Sequence, residues 1–318
     1  MITQRRLQHL LVLAEHAHFG RAAHSLGISQ PALTKSLQAL EAELGVTLLD
    51  RKWGAVTLTA FGELVVRRGK SWLTAEDDLR REIAMLAGND IGSLKVALGP
   101  YPSITSGFPG ATRLLARYPE IRIMVREANW RDVANLVNAQ AVDLGMAEIS
   151  MLEGQKQFAT ELVGRHSGYF FCKAGHPLLG AAPVKLRQLL EYPWVSTRIP
   201  YRVSSLLPKE LGRAGMIDPM NGDFVPAIEI DVPLQVASFL THSDAVAPAT
   251  LTTMEQALRS GEVAVLASSD IPLQTNYGFI YLKNRSLPPA ALAYMQEIRA
   301  MEREVLQREE MLARYLGL

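Results

Sequence analysis

The chain has 318 residues, 48% of them hydrophobic and 20% charged, with a formal net charge of +1; that length suits two or three domains, and the composition is globular rather than disordered. A balance so near neutral argues neither for nor against nucleic acid, so a nucleic-acid partner needs a local basic surface. Cys172 is the single cysteine, which excludes an internal disulfide and a multi-cysteine metal site and suits a reducing cytoplasm, and no apolar run approaches the roughly 20 residues of a membrane span.

The N-terminal stretch "MITQRRLQHLLVLAEHAHFG" sets basic residues before an apolar patch broken by Glu15, His16 and His18. No small-residue cleavage site follows, so an amphipathic helix over about 3–17 is predicted rather than a signal peptide. Leu7, Leu10, Leu11 and Ala14 share its apolar face. "FGRAAHSLG" gives a short second helix ending at Gly27, a C-cap. Ser29 stands where an N-cap belongs and Pro31 falls in the first turn, where proline is tolerated. A third helix then runs to about Glu43 and stops at Gly45. Three helices in about 45 residues, the last two joined by a short turn, make a helix-turn-helix pattern.

Leu48 and Leu49, then Val56 and Leu58, flank "DRKWGA" as a short hairpin, a wing. From Thr59 to about Ala87 there is no proline, and Val65, Trp72, Leu79 and Leu86 recur every seven residues. Such a period predicts one long helix packed on another helix, although Arg68 and Glu82 interrupt the second seam position. After "GNDIG" the texture changes: "SLKVAL", "IRIMVRE" and "VDLGMAE" alternate with helical stretches, which predicts βαβ units and a mostly parallel sheet. A second set of short segments runs from "YFFCKA" to "TLTTMEQALRSG".

The order of helix-turn-helix, wing, long helix and α/β region resembles the LysR-type transcriptional regulators. The specific stretches are "FGRAAHSLGISQPALTKSLQALEAELGVTLLDR" and "VTLTAFGE", with "GSLKVALG", "ARYPEIRIMV", "VDLGMAE" and "GHPL" beyond them. The resemblance implies a winged helix-turn-helix DNA-binding domain at 1–58, a dimerisation helix at 59–88 and an effector-binding domain at 92–318. The last would be two α/β subdomains of periplasmic-binding-protein type with a ligand cleft between them, one of about 92–163 plus 269–302, the other of about 164–268, and a C-terminal helix to 318. It also implies operator DNA, a small-molecule co-inducer, a homotetramer built as a dimer of dimers, and room for a contact with RNA polymerase. No cofactor, metal or membrane is expected. The wing "DRKWGAV" carries fewer arginines than is common in the family, and "THSDAVAP" replaces a glycine-richer strand entry.

In the third helix Gln30, Pro31, Thr34, Lys35 and Gln38 fall off the stripe of Leu33, Leu37, Leu40 and Leu44. Such a row is also what any packed helix shows to water. In a helix-turn-helix, however, the N-terminal residues of the second helix meet base edges, where Gln pairs with adenine, Lys reaches guanine and Thr touches a thymine methyl. Ser29, Gln30, Pro31, Thr34, Lys35 and Gln38 are therefore the DNA-reading candidates. Arg51 and Lys52 of the wing would meet phosphate or the minor groove, and Arg5, Arg6 and Arg21 would approach phosphate. The spacings of His9, His16 and His18 suit surface histidines better than a metal site, and Cys172 in "YFFCKAG" reads as a buried inert thiol.

In "LGPYPSITSG", Ser103, Thr105 and Ser106 cluster at a helix start, which suits either an anion or plain capping by Ser103. "STRIPYRVSS" adds arginines able to fork onto a carboxylate. Carried over from the family, the effector-lining positions are Pro100, Tyr101, Ser103, Ile104, Trp130, Glu148, Thr197, Arg198, Tyr201, Arg202 and Pro248. They imply a small organic anion, a carboxylate with an aromatic or aliphatic body, with Glu148 repelling it or pairing with an arginine in the empty cleft. A transport-type solute-binding protein shares this α/β architecture but does not need residues 1–58. G-x-G, G-x-S-x-G and H-E-x-x-H are all absent from the sequence, which argues against an enzyme.

Overall fold

The computed structural model describes residues 2–52, 55–86, 92–180, 183–266 and 271–318. It consists of two compact units, Met1–Gly88 and Asn89–Leu318. Trp53 at the wing tip and most of the break at 88–92 lie outside the described residues, as do the side chains of Arg51, Lys52, Ala55 and Leu86.

In the first unit α1 (Gln4–His16), α2 (Phe19–Ser25) and α3 (Gln30–Leu44) surround one core. Ser29 takes extended backbone angles and its hydroxyl accepts the Ala32 N–H at 3.4 Å, while Gly45 ends α3 at φ 67°. Leu33, Leu37 and Leu40 are buried with Leu10, Leu13, Ala22 and Ala23, and Leu44 lies at the edge. Truncating one of these buried leucines to alanine costs about 2–5 kcal/mol. The wing follows as antiparallel β1 (Leu49–Lys52) and β2 (Ala55–Leu58), with Leu49 opposite Leu58. Glu41 accepts the N–H groups of Leu48 and Leu49 at 2.8 and 3.2 Å, which fastens α3 to the wing. The Thr59 hydroxyl donates to the Thr47 carbonyl at 2.7 Å and accepts the Gly62 N–H at 3.1 Å, capping α4 (Ala60–Leu86). A Cβ on Gly62 would sit 2.1 Å from the Leu48 carbonyl oxygen, so only glycine allows this approach.

The second unit has two lobes. It starts with β3 (Ser93–Leu98), then a helical run of α5 (Pro100–Pro102), a π-wound turn (Ser103–Gly107) and α6 (Phe108–Arg117). There follow β4 (Arg122–Glu127), α7 (Trp130–Asn138), β5 (Leu144–Glu148) and β6 (Phe158–Gly164). The chain crosses to β7 (Gly168–Lys173), α8 (Leu186–Leu189), β8 (Val195–Ser196), α9 (Tyr201–Ser204) and the hairpin β9 (Gly215–Ile217) with β10 (Phe224–Pro226). Then come β11 (Ile228–Glu229), α10 (Val236–Thr241), β12 (Ala247–Thr250), α11 (Leu251–Arg259) and β13 (Val263–Leu266). It returns through β14 (Tyr277–Leu282) and ends in α12 (Pro289–Leu316).

The first lobe carries a sheet ordered β4-β3-β5-β14-β6 and the second a sheet ordered β12-β7-β13 with β8 and β11 paired beside it. The expectation of a mostly parallel sheet needs correction. β3 pairs in parallel with β4 and β5, but β14 runs antiparallel to β5 and β6, and β7 is antiparallel to both neighbours. The parallel pairs are those joined by local helical crossovers, whereas β14 enters from the other lobe with no crossover to fix its direction. The two connections between lobes pair with each other: Gly168 N–H donates to Leu273 and Thr275 N–H to His166, at 2.8 and 2.9 Å. α12 spans both lobes, with Ala290, Ala291, Tyr294 and Ile298 in the first core and Leu312, Ala313 and Leu316 against the second.

Candidate DNA-reading surface and effector cleft

On α3, Ser29, Gln30, Pro31, Lys35 and Gln38 are exposed and Thr34 is half-buried. They border one another because the helix turns its leucines inward, while the Ser29 cap fixes where the helix begins. Other polar groups nearby hold the unit together. His9 Nδ1 meets the Ser36 hydroxyl at 2.8 Å, joining α1 to α3. His18 caps α2, its Nδ1 accepting the N–H groups of Gly20 and Arg21. Arg6 pairs with Glu43 at 2.7 Å and Arg21 donates to the His16 carbonyl at 2.7 Å, so these two phosphate candidates are engaged within the unit. The backbone of Arg51 and Lys52 lies in β1 at the wing.

The second unit has a cleft of about 380 Å³ between its lobes. Of the predicted lining, Pro100, Tyr101, Trp130, Glu148, Thr197, Arg198, Arg202 and Pro248 border it. Ser103, Ile104 and Tyr201 do not. Ser103 is fully buried, its hydroxyl donates to the Pro100 carbonyl at 2.8 Å and its N–H to Gly99. Because Pro100 and Pro102 have no N–H, Tyr101 carries the only N–H of α5. The anion site expected at this helix start is thereby undone. Ile104 borders a separate cavity, and Tyr201 is 52% exposed.

Three arginines of the cleft are paired with carboxylates, two of them across it. Arg131 donates through Nε and Nη2 to Asp223 at 3.0 and 2.8 Å, and its guanidinium lies 4.1 Å from the Trp130 ring centre. Arg202 donates to Glu148 at 3.2 Å and to the Gln274 carbonyl at 2.7 Å. Arg198 is held within the second lobe by Glu229 and Asp218, at 2.6 and 2.8 Å, and these contacts raise its pKa. The Tyr101 hydroxyl donates to the Pro248 carbonyl at 3.2 Å. Burial pushes this phenol up to about 12, against a smaller opposing pull from Thr197. One donor is left over: the buried Nε of Arg202 has no acceptor.

Sequence reasoning missed Arg131, Asp223, Gln274 and Tyr277 in the lining. Asp223 follows Gly222, which has φ 75°, but a turn glycine does not announce a cleft. Among the described residues no three or more His, Cys, Asp or Glu side chains are grouped to hold a metal, and no helix is long and apolar enough to cross a membrane.

Residues 4–63 match the family model described as bacterial regulatory helix-turn-helix protein, lysR family, and residues 87–303 match that of the LysR substrate binding domain. A Pseudomonas protein named SDS degradation transcriptional activation protein is 32% identical over 293 residues, covering 91% of this chain and 93% of its own. The regulator GbpR of Azospirillum brasilense is 26% identical over 93% of this chain and 85% of its own. Among solved structures, a full-length point variant of OxyR from Pseudomonas aeruginosa gives a TM-score of 0.63 at 20% identity, covering 95% of each chain. CbnR, a LysR family transcriptional regulator solved bound to its target DNA, gives 0.58 at 19% identity, over 94% of this chain and 100% of that one. At those identities the structures speak for the fold alone. The family models and the Pseudomonas relative go further: this chain belongs to the LysR family of transcriptional regulators, with a DNA-binding helix-turn-helix and an effector-binding domain.

Proposed function

We propose that α3 reads operator bases through Gln30, Pro31, Thr34, Lys35 and Gln38, positioned by Ser29 and by phosphate contacts from Arg51 and Lys52, and that the cleft of the second unit takes a small organic acid. The observation that carries the ligand class is Arg202. It borders the cleft, spans to Glu148 on the other lobe, and keeps one buried donor without an acceptor. An unpaired buried donor costs about 1–3 kcal/mol, and the guanidinium that carries it belongs to a side chain still 31% exposed, open to an anionic head group once its tie to Glu148 gives way. Pro100, Tyr101, Trp130 and Pro248 supply apolar walls for the body, the usual mix of a small-ligand site. The anion competes with Glu148 for Arg202, so binding loosens one cross-lobe tie. A ligand regulates only through unequal affinity for two arrangements, and this competition supplies the inequality.

The protein works in the cytoplasm as a dimer of dimers. Support comes from α4, where Phe61, Leu64, Trp72, Leu79 and Ile83 are all exposed in the isolated chain, an apolar row that suits a partner helix. The relative named for SDS degradation makes short alkyl sulfates and alkyl carboxylates the first probes. Calorimetry should find binding by wild type that Arg202→Ala lowers at least tenfold while operator affinity without ligand is kept. A best ligand that is neutral or cationic, or equal binding by both proteins, overturns the organic-acid reading. For the DNA face, Gln30→Ala and Thr34→Ala should each cost about 1–3 kcal/mol on the operator and far less on random DNA. Equal losses on both would remove these residues from base readout.

A further inference from the structure

A buried polar cluster lies at the hinge between the two lobes of the second unit. His166, on the outgoing connection, is 1% exposed. Its Nδ1 meets Glu309 at 2.8 Å and its Nε2 meets Glu302 at 2.9 Å, both on α12. Tyr277, at the end of the returning connection, stacks on the imidazole and its hydroxyl donates to Glu302 at 2.9 Å. The Ser106 hydroxyl of the π-wound turn donates to Glu302, and Thr252 of α11 donates to Glu309 at 2.8 Å. First lobe, second lobe, both connections and α12 therefore meet at one point. Tyr277 and Thr275 also border the cleft, so the cluster adjoins it.

α12 runs on to Leu316. Its stretch 304–316 carries Glu309, and it carries Leu312, Ala313 and Leu316, which pack on the core of the second lobe. Without it the helix would hold the first lobe only.

We propose that residues 304–318 are a strap, pinned to the hinge by the His166–Glu302–Glu309 cluster, which fixes the lobe arrangement from which an effector has to work. The cluster gives the strap a pH dependence. Burial alone would lower the His166 pKa, but hydrogen bonds to Glu302 and Glu309, with the charges of both, raise it to about 9. A pKa raised on folding contributes stability that is complete below the ordinary value of about 6.5 and is lost as pH climbs through the folded value. The neighbouring Tyr277 stays silent over that range, because burial, then the charge and hydrogen bond of Glu302, push it well above its usual value.

The test is amide hydrogen exchange on the full-length protein, corrected for the intrinsic rate, at pH 7 and pH 10. In wild type the connections 164–168 and 273–277 should lose about tenfold or more of their protection between the two, since each unit of pKa shift corresponds to tenfold in an equilibrium. Glu309→Gln keeps the shape but removes the charge, and should show the looser connections already at pH 7 with a flattened pH dependence. Protection that is unchanged from pH 7 to 10 in wild type overturns the proposal, whether or not the variant folds. So does a folded Glu309→Gln that behaves as wild type. The strap's role in regulation rests on the effector reading above, but no ligand enters this experiment, so failure of the strap and failure of the organic-acid site are told apart.

Discussion

Asp223→Ala tests the cross-lobe ties most directly. Asp223 is 1% exposed; one carboxyl oxygen accepts two donors from Arg131 and the other accepts the Tyr201 N–H at 3.1 Å. Breaking a buried ion pair from one side costs about 3–5 kcal/mol when the abandoned charge stays buried. Here the Arg131 side chain is 36% exposed and swings into water, so that figure has to be cut. What cannot be relieved by swinging is the orphaned Tyr201 N–H, about 1–3 kcal/mol. The whole substitution is then expected to lower stability of the second unit by about 2–4 kcal/mol. The share that crosses the cleft is isolated by a double-mutant cycle with Arg131→Ala, in which the Tyr201 contribution cancels. Two charge-assisted bonds, discounted for exposure, give a coupling of about 1–2 kcal/mol. The measurement is the second unit's transition in urea, followed for wild type, both single variants and the double variant. A coupling below about 0.3 kcal/mol, the usual scatter of additive sites, would show that the pair does not hold the lobes together.

Gly62→Ala forces a methyl group onto the Leu48 carbonyl and should destabilise the first unit by about 1–3 kcal/mol, lowering its melting temperature and operator binding together; an unchanged melt would mean that the wing and α4 separate freely. Trp72→Glu puts a charge in the proposed helix seam, an expensive burial, and should lower the mass seen in sedimentation; a species of unchanged mass with full operator affinity places the seam elsewhere. Cys172 is fully buried and its thiol is pushed up to about 12 by burial. The thiolate is therefore missing at pH 8, and a thiol reagent should modify the native protein about a thousandfold more slowly than the unfolded chain. Fast native labelling would contradict the burial.

The first unit was legible in outline, although His9, expected at the surface, is buried and Leu13, left off the apolar face of the first helix, lies in the core. Its leucine stripe, the Ser29 cap and the stops at Gly27 and Gly45 are local signals that tertiary packing did not override. The same holds for β3 to β5, which are apolar and joined by local helices. In the second lobe the segments from "YFFCKA" to "TLTTMEQALRSG" could be marked out but their pairing could not, because β8 and β11 are two residues long and their partners lie far apart in the sequence. In the first lobe β6 was missed because its residues run against its burial, with Leu162 exposed and Glu161 half-buried. At the cleft, eight of the residues carried over from family resemblance do line it, and Glu148 does pair with an arginine, whereas Asp223, Asp218 and Glu229, which neutralise Arg131 and Arg198, went unread. These acids meet their arginines only through folding. The Ser103 expectation failed for a readable reason: two prolines beside it had already removed the N–H groups that an anion needs.

The paired charges of the cleft also shape how such a regulator changes its ligand over evolutionary time. Replacing Arg131 or Glu148 alone strands the opposite charge, so a first step towards a new specificity is destabilising by itself and becomes tolerable when its partner changes too. Ile199, Val203 and Leu273 border the same space and carry no such obligation. Drift in ligand shape is therefore open to single substitutions at the apolar wall, while a switch in ligand charge has to pass through coupled pairs.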